Sequence, residues 1–423
     1  MRSFFVCILL ILNGCAEAQE VTNSVPQVEN EPDVKNEVEE VDSIVVNKGQ
    51  LFKPKSAVKE SRKKHLKVGG ESEVNTESVV EPKPYGTIQM SSEKELDMSP
   101  SNYQQTEAYR SAEFNFSYSQ NGAKTQRTQR SPSIVQQEKM DEAVGYFQLN
   151  APNSFEYHYY TFIAGNYDLD LISSLKEAER LRPNNSDVHV QLAACSIITN
   201  DSVNGIKYLG LLKEANRLSV PVIEYSKDLL RSTPENGTLI THGFDDSYGA
   251  WNAQNIEKLR SDVTLISLDF MQSDVYRTFL MDKGYVLPKR DTIDVDYFVQ
   301  FCELNKSKGL GISMTIPKEY LQQIKDKIYV VGLVFEYHEE DYNNFYKNDY
   351  LWNEEFEKTV IHQATNQKAK DLSANYLPML LQLRKVYGER GEQKKKDEVD
   401  KISDKVSVQC KKYERVQQLK SSY

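Results

Sequence analysis

Apolar positions are spread unevenly along this chain. From residue 16 to 137 neither a helical nor a strand period is sustained, whereas from about residue 138 onward apolar residues recur at one spacing or the other. Glu, Val, Asn, Ser, Lys and Gln dominate the first stretch, with Pro26, Pro32, Pro54, Pro82, Pro84, Pro100 and Pro132 interspersed. Its charges come in blocks such as Glu37-Val38-Glu39-Glu40 and Arg62-Lys63-Lys64-His65. Such a segment buries too little apolar surface to offset its ordering entropy, so 16–137 is expected to be a disordered linker. Square-root scaling gives it a reach on the order of 60 Å.

The pattern after residue 138 divides in three. In 138–220, helical spacing is interrupted by Ala151-Pro152-Asn153-Ser154, Gly165-Asn166-Tyr167-Asp168, Arg182-Pro183-Asn184-Asn185 and Thr199-Asn200-Asp201. Each unit reads helix, turn, helix at an interval close to ~34 residues, and Tyr160, Gly165, Ala178, Leu181 and Pro183 resemble the tetratricopeptide pattern. Such units bury their apolar faces only against a neighbour, so they are expected to dock on the domain C-terminal to them. In 221–340 a helix at 222–230 precedes four strand candidates, 238–242, 263–268, 309–316 and 328–337, separated by helices at 248–259, 274–281, 295–304 and 319–324. Continuous apolar strands alternating with helices predict a mostly parallel sheet. The expected class is therefore α/β: tetratricopeptide-like hairpins packed on a small mostly parallel sheet. In 341–423 helices are expected at 354–363 and 375–387, with Pro378 tolerated in a first turn. Val399, Ile402, Val406, Cys410 and Tyr413 then fall at helical spacing, which suits a partner-binding helix, a short coiled coil, or a helix packed on its own domain.

Composition narrows the function classes. Hydrophobic content of 39% is low for a chain of 423 residues folded end to end, and a net charge of −10 argues against a nucleic-acid partner. Residues 1–15 read as a signal segment: Arg2 is its positive flank, and Phe4 to Leu12 form an apolar run too short to span a bilayer. Leu12-Asn13-Gly14-Cys15 resembles a bacterial lipobox, which implies a diacylated Cys15 anchoring the protein to a membrane; an ordinary secretory signal is the alternative. Ala16, rather than aspartate, after that cysteine points to the cell outer membrane. Cys195, Cys302 and Cys410 are too few and too widely spaced for a disulfide framework or zinc site, and Cys195 and Cys302 read as buried residues.

Candidate chemistry concentrates between Gly237 and Trp251. An apolar strand breaks there into Gly243-Phe244-Asp245-Asp246 and then a helix, which is where open α/β sheets place ligands. His242, Asp245, Asp246, Ser247, Tyr248 and Trp251 are the candidate ligand-binding residues, with Asp245 and Asp246 weak candidates for a cation. The competing reading makes Asp246 or Ser247 the N-cap of the next helix, and His242 a hydrogen-bonded turn residue. No dinucleotide fingerprint, nucleophile elbow or zinc-protease motif occurs, and no cofactor is expected. Glu336-Tyr337-His338-Glu339-Glu340 reads as a weak cation site or an exposed acidic strand end. Asp42-Ser43-Ile44, Asp201-Ser202-Val203 and Asp291-Thr292-Ile293 look like short O-glycosylation tripeptides.

Gly243, Asp245, Asp246, Ser247, Tyr248, Trp251, Gln254, Arg260, Asp262 and Val263, with Gly332-Leu333-Val334 further on, carry a resemblance. Together they are similar to the soluble tail of bacterial multi-pass membrane proteins of the protein O-mannosyltransferase-like, GT-C type. The likeness covers about 181–337. Phe244, Asn252 and Ser261 depart from the usual pattern, and no apolar run of ~20 residues comes after the signal, so a membrane-embedded catalytic half is missing. The resemblance implies the tail's fold and a recognition role, not glycosyl transfer. The expected function is thus a non-enzymatic binding or assembly module for a protein or glycan partner in the outer envelope. The alternative is an enzyme acting on a carbohydrate or phosphoryl ligand, with a cation at Asp245 and Asp246.

Overall fold

The computed structural model describes residues 106–364 and 366–422. The signal segment, Cys15, Asp42-Ser43-Ile44 and the expected linker as far as residue 105 lie outside the described residues. Within the expected linker, however, a helix runs from Glu107 to Thr125 (α1). Ala112, Phe116, Ser119 and Ala123 are buried on one face of it, and Phe116 stacks on Tyr160 with ring centroids 3.9 Å apart. With Tyr109 and Phe116 the large residues, the rest of that stripe is small or polar, which weakens its apolar period. Residues 107–137 are therefore folded rather than linker, a correction to the boundary.

Paired helices come next: α2 (Ile134–Asn150), α3 (Phe155–Ala164), α4 (Ile172–Leu181), α5 (Ser186–Ile198), α6 (Ser202–Glu214) and α7 (Val220–Ser232). Their boundaries are set by caps. Ser133 and Gln136 form a reciprocal capping box at α2, and Ser154, Asn185 and Asp201 accept from the first free amides of α3, α5 and α6.

The five-stranded sheet has the order β2-β1-β3-β5-β4. Its strands are β1 (Thr238–Thr241), β2 (Thr264–Ser267), β3 (Leu310–Ser313), β4 (Ile328–Val331) and β5 (Val334–Tyr337). β1 lies parallel to both β2 and β3, with Ile240 in register with Ile266 and Ile312. Every residue of β1 and β3 is buried, as expected of a parallel core covered on both faces. The single strand expected at 328–337 is instead a tight hairpin, so strands number one more than expected, and β5 pairs antiparallel to β3 and β4. Gly332 makes the turn at φ 57, and a Cβ there would lie 2.2 Å from the Ser232 hydroxyl oxygen. An apolar run alone does not reveal that reversal.

Helix α8 (Phe244–Asn255) follows β1, α9 (Asp274–Asp282) and α10 (Val295–Leu304) lie between β2 and β3, and α11 (Lys318–Leu321) follows β3. The helix expected at 354–363 is broken. After α12 (Phe345–Tyr350) and a π-turn at Leu351–Glu355, Phe356 is extended and Lys358 left-handed before α13 (Thr359–His362). Asp228 on α7 holds that break, accepting from the amides of Glu357 at 3.1 Å and Lys358 at 3.2 Å and from the Tyr376 hydroxyl at 2.8 Å. Then come α14 (Gln367–Ser373), α15 (Leu377–Glu389), α16 (Gln393–Gln409) and α17 (Tyr413–Ser421). Helix α16 packs along α15, burying Val399 and Val406, with Arg384 paired to Asp400 at 2.7 Å. The tail thus covers its own domain. Cys195 and Cys302 are buried and Cys410 is half-buried, with no disulfide between any of them among the described residues.

Candidate functional site

The loops leaving β1, β2 and β3 emerge at the same edge of the sheet, because those strands are parallel. His242 to Asp246 follow β1, Asp269 follows β2, and Thr315 follows β3. The chain leaves β1 toward β2 and leaves β3 toward the hairpin on the other side, so the crevice between β1 and β3 is a topological switch point. A cavity of about 650 Å³ opens there, roofed by α1 and by the ends of α3 and α5.

Gly243 turns the strand into α8 at φ 83 and ψ −171, a conformation closed to other side chains, and is itself the N-cap. Helix α8 therefore starts at Phe244, earlier than expected, and neither Asp246 nor Ser247 is the cap. Asp246 sits in the first turn and reaches back, one carboxylate oxygen accepting from the His242 amide at 2.9 Å and from the Thr315 hydroxyl at 2.5 Å. Its other oxygen is buried and has no hydrogen-bond partner among the described residues. Burial pushes the Asp246 pKa up to about 7, against the lowering effect of the Thr315 and His242 hydrogen bonds. Burial, with Arg130 adding to it, pushes His242 down to about 3, so the imidazole is neutral and its Nε2 is buried without a partner.

Asp245 also lines the cavity and pairs there with Lys368 of α14 at 2.6 Å. An ammonium thus occupies the carboxylate that the cation reading assigned to a metal. Among the described residues no group of three or more His, Cys, Asp or Glu side chains is placed to hold a metal ion. The acidic strand end after β5 is likewise engaged, since buried Glu336 is paired with Lys347 and lies 3.2 Å from His338.

The remaining candidates separate. Tyr248 lines the cavity, donates its hydroxyl to the Val190 carbonyl at 3.0 Å, and packs against Phe244 and Phe270. Tyr167 brings a further ring edge-on to Phe270 from a left-handed backbone at φ 63. Ser247 and Trp251 lie outside the wall. The Ser247 hydroxyl bonds Thr241 at 2.8 Å and lies 3.3 Å from Ser267, tying β1 to β2. The Trp251 indole covers Gly205 of α6, where a Cβ would come within 2.5 Å of the ring. Gln254, Arg260 and Asp262 are architectural as well. The Gln254 amide donates to the Arg260 and Val263 carbonyls, and the Arg260 guanidinium donates to the carbonyls of Leu230, Thr233 and Pro234 while pairing with Asp262.

Other wall residues are not singled out by the sequence. Lys124, Arg127 and Arg130 come from the region expected to be linker, and Gln191, Asp269, Thr315 and Lys368 from helices and loops without a motif. Arg130 is buried and pairs with Asp269 at 2.8 Å. Burial alone would raise Asp269, but the charge and hydrogen bond of Arg130 hold its carboxyl below the ordinary value. The signal for Asp269 and Thr315 was positional: both stand two residues beyond a parallel strand.

No helix among the described residues is long and apolar enough to cross a membrane. No curated protein and no solved structure matches the chain. Residues 222–418, from α7 through most of α17, match the family model of TMEM260-associated domain 2, so this part of the chain is similar to a TMEM260-like, O-mannosyltransferase-like soluble domain.

Proposed function

We propose that this protein is a lipid-anchored envelope module whose α/β part binds a glycan in the cavity between β1 and β3, without transforming it. The observation that carries this reading is the cavity wall. Phe244, Tyr248 and Phe270 line the cavity together with His242, Asp245, Asp246 and Gln272, whose Nε2, Oδ1, Oδ1 and Oε1 atoms are buried and have no hydrogen-bond partner among the described residues. Buried polar atoms normally have partners, and apolar faces combined with convergent donors and acceptors suit a sugar ring with its hydroxyls. A concave, half-open cavity suits a glycan better than it suits the flat surface of a protein partner. The similarity to an O-mannosyltransferase-like soluble domain supports a recognition role on carbohydrate.

The anchor belongs to the same proposal. Acyl chains on Cys15 would hold the module at the outer membrane. Cys15→Ala should release the protein from membranes on fractionation, and retention would sink the anchor.

Binding is tested by saturation-transfer NMR with envelope polysaccharide, comparing wild type with Phe244→Ala. Transfer to sugar protons that the variant abolishes supports the reading; no transfer to any polysaccharide removes it. An enzymatic reading has one observation in its favour, the near-neutral pKa of Asp246, which suits a general acid or base. It lacks the second free carboxylate of a glycosidase, since Asp245 is paired with Lys368. Release of reducing ends that Asp246→Asn abolishes would favour it.

A further inference from the structure

The cations of the cavity wall are not equally matched. Arg127 is paired with Glu319 at 3.1 Å, Arg130 with Asp269 at 2.8 Å, Arg217 with Asp187 at 3.1 Å and Lys368 with Asp245 at 2.6 Å. Lys124, in the last turn of α1, lines the same cavity and has neither an ion pair nor a side-chain hydrogen bond among the described residues. Lys124 is exposed at the cavity edge, and the pKa of its ammonium group is lowered by desolvation and by Arg217, against Asp187 and Asp269, which raise it. The Arg217 pair is a weak competitor, because Asp187 is 53% exposed. Gln191 lines the same cavity at 7% exposure, and its side-chain amide makes no hydrogen bond among the described residues. An ammonium without an ion pair and an amide without a hydrogen bond, both lining one cavity, are donors that an oxyanion can engage.

We propose that the ligand is anionic, a glycan bearing a carboxylate or a phosphate, with Lys124 as its counter-ion and the Gln191 amide as a neutral donor beside it. This rests on the glycan reading and adds a charge requirement that the reading alone lacks. The aromatic side at Phe244 and Tyr248 takes the sugar face, and the α1 side takes the charge. Lys124 lies in a last helical turn, where a cation also favours the helix dipole, so a purely structural role is the outcome to be separated.

The test is calorimetric titration of the full chain, wild type and Lys124→Gln, with inorganic phosphate, glucose, glucuronate and glucose 6-phosphate. Gln191→Leu is the second variant, and thermal melts check that each one folds. The expected result is that at least one anion binds wild type about tenfold more tightly than it binds Lys124→Gln, with weakening as salt rises. Glucuronate binding more tightly than glucose 6-phosphate assigns the charge to a carboxylate, and the reverse order assigns it to a phosphate. Glucose binding as tightly as its acidic counterparts, or anion affinities unchanged in Lys124→Gln, overturns the inference and leaves the glycan reading standing. Phosphate binding as tightly as glucose 6-phosphate, with loss in Lys124→Gln, keeps the counter-ion role and sinks the glycan. No binding of any probe overturns both.

Discussion

The Thr315 hydroxyl donates to the Asp246 carboxylate at 2.5 Å, joining the loop after β3 to the first turn of the helix after β1. The bond spans the switch-point crevice and fixes one oxygen of Asp246, a residue of the cavity wall. Ser313 supports it, its hydroxyl lying 2.8 Å from that of Thr315. Thr315→Val keeps the shape and removes the donor. The buried acceptor then loses a charge-assisted partner, a cost of about 1–3 kcal/mol. Chemical denaturation at pH 8 should show that loss, and Thr315→Ser should restore most of it; a Val variant as stable as wild type would show that the bond contributes nothing.

Asp246 and His242 give stability two opposed dependences on pH. The Asp246 pKa is raised to about 7, so its native form holds a proton that the unfolded chain has released; stability is full below about pH 4 and falls until about pH 7. The His242 pKa is lowered to about 3, so the unfolded chain takes the proton first, and stability from this residue rises between about pH 3 and 6.5. Over the shared window the two slopes, each up to about 1.4 kcal/mol per pH unit, oppose each other. Wild type should therefore show a shallow profile between about pH 4 and 6.5. Asp246→Asn should leave a profile that rises with pH, and His242→Gln one that falls. Parallel profiles for the two variants would contradict the burial of one of these groups.

Much of the architecture was legible because it rests on local signals. The parallel core strands, α10 at Val295–Leu304 and the start of α15 around Pro378 follow from apolar runs and helix punctuation. The β4–β5 hairpin was not legible, because its turn depends on Gly332 lying against Ser232, an interaction across the fold. Helix α1 was hidden for a related reason: its buried face is largely Ala112, Ser119 and Ala123, and small residues carry little periodic signal. Half the site went with it, since Lys124, Arg127 and Arg130 all belong to that helix or to the loop after it. The other half stood at the strand ends, where Asp246 could be found but its partner Thr315 could not.

Trp251 and Gly205 form a contact that fixes how the helical hairpins meet α8. A Cβ on residue 205 would lie 2.5 Å from the indole. Gly205→Ala should shift the ring or the helix and cost about 1–3 kcal/mol, despite the gain in helix propensity that alanine normally brings. Trp251→Phe in the same chain should recover part of the loss. A shift in tryptophan emission on Gly205→Ala reports the displaced ring, and an additive double mutant would show that the two residues do not interact.

Arg260 separates architecture from recognition among the residues that carry the family likeness. Its guanidinium gathers the carbonyls of Leu230, Thr233 and Pro234 at 3.0 Å each, closing the turn that leads from α7 into β1, and Asp262 holds it in place at 2.8 Å. A lysine keeps the charge but has no planar fork, so it cannot serve three carbonyls and a carboxylate together. Arg260→Lys should therefore lower stability by about 1–3 kcal/mol, as expected when a half-buried hydrogen-bond network is broken. The cavity is formed at the opposite, carboxyl end of β1, so ligand affinity of the folded variant should stay within about twofold of wild type, well under the ~1.4 kcal/mol of a tenfold change. Paired denaturation and titration of the same sample check both halves. A variant that keeps its stability and loses its ligand would move Arg260 from the frame into the site.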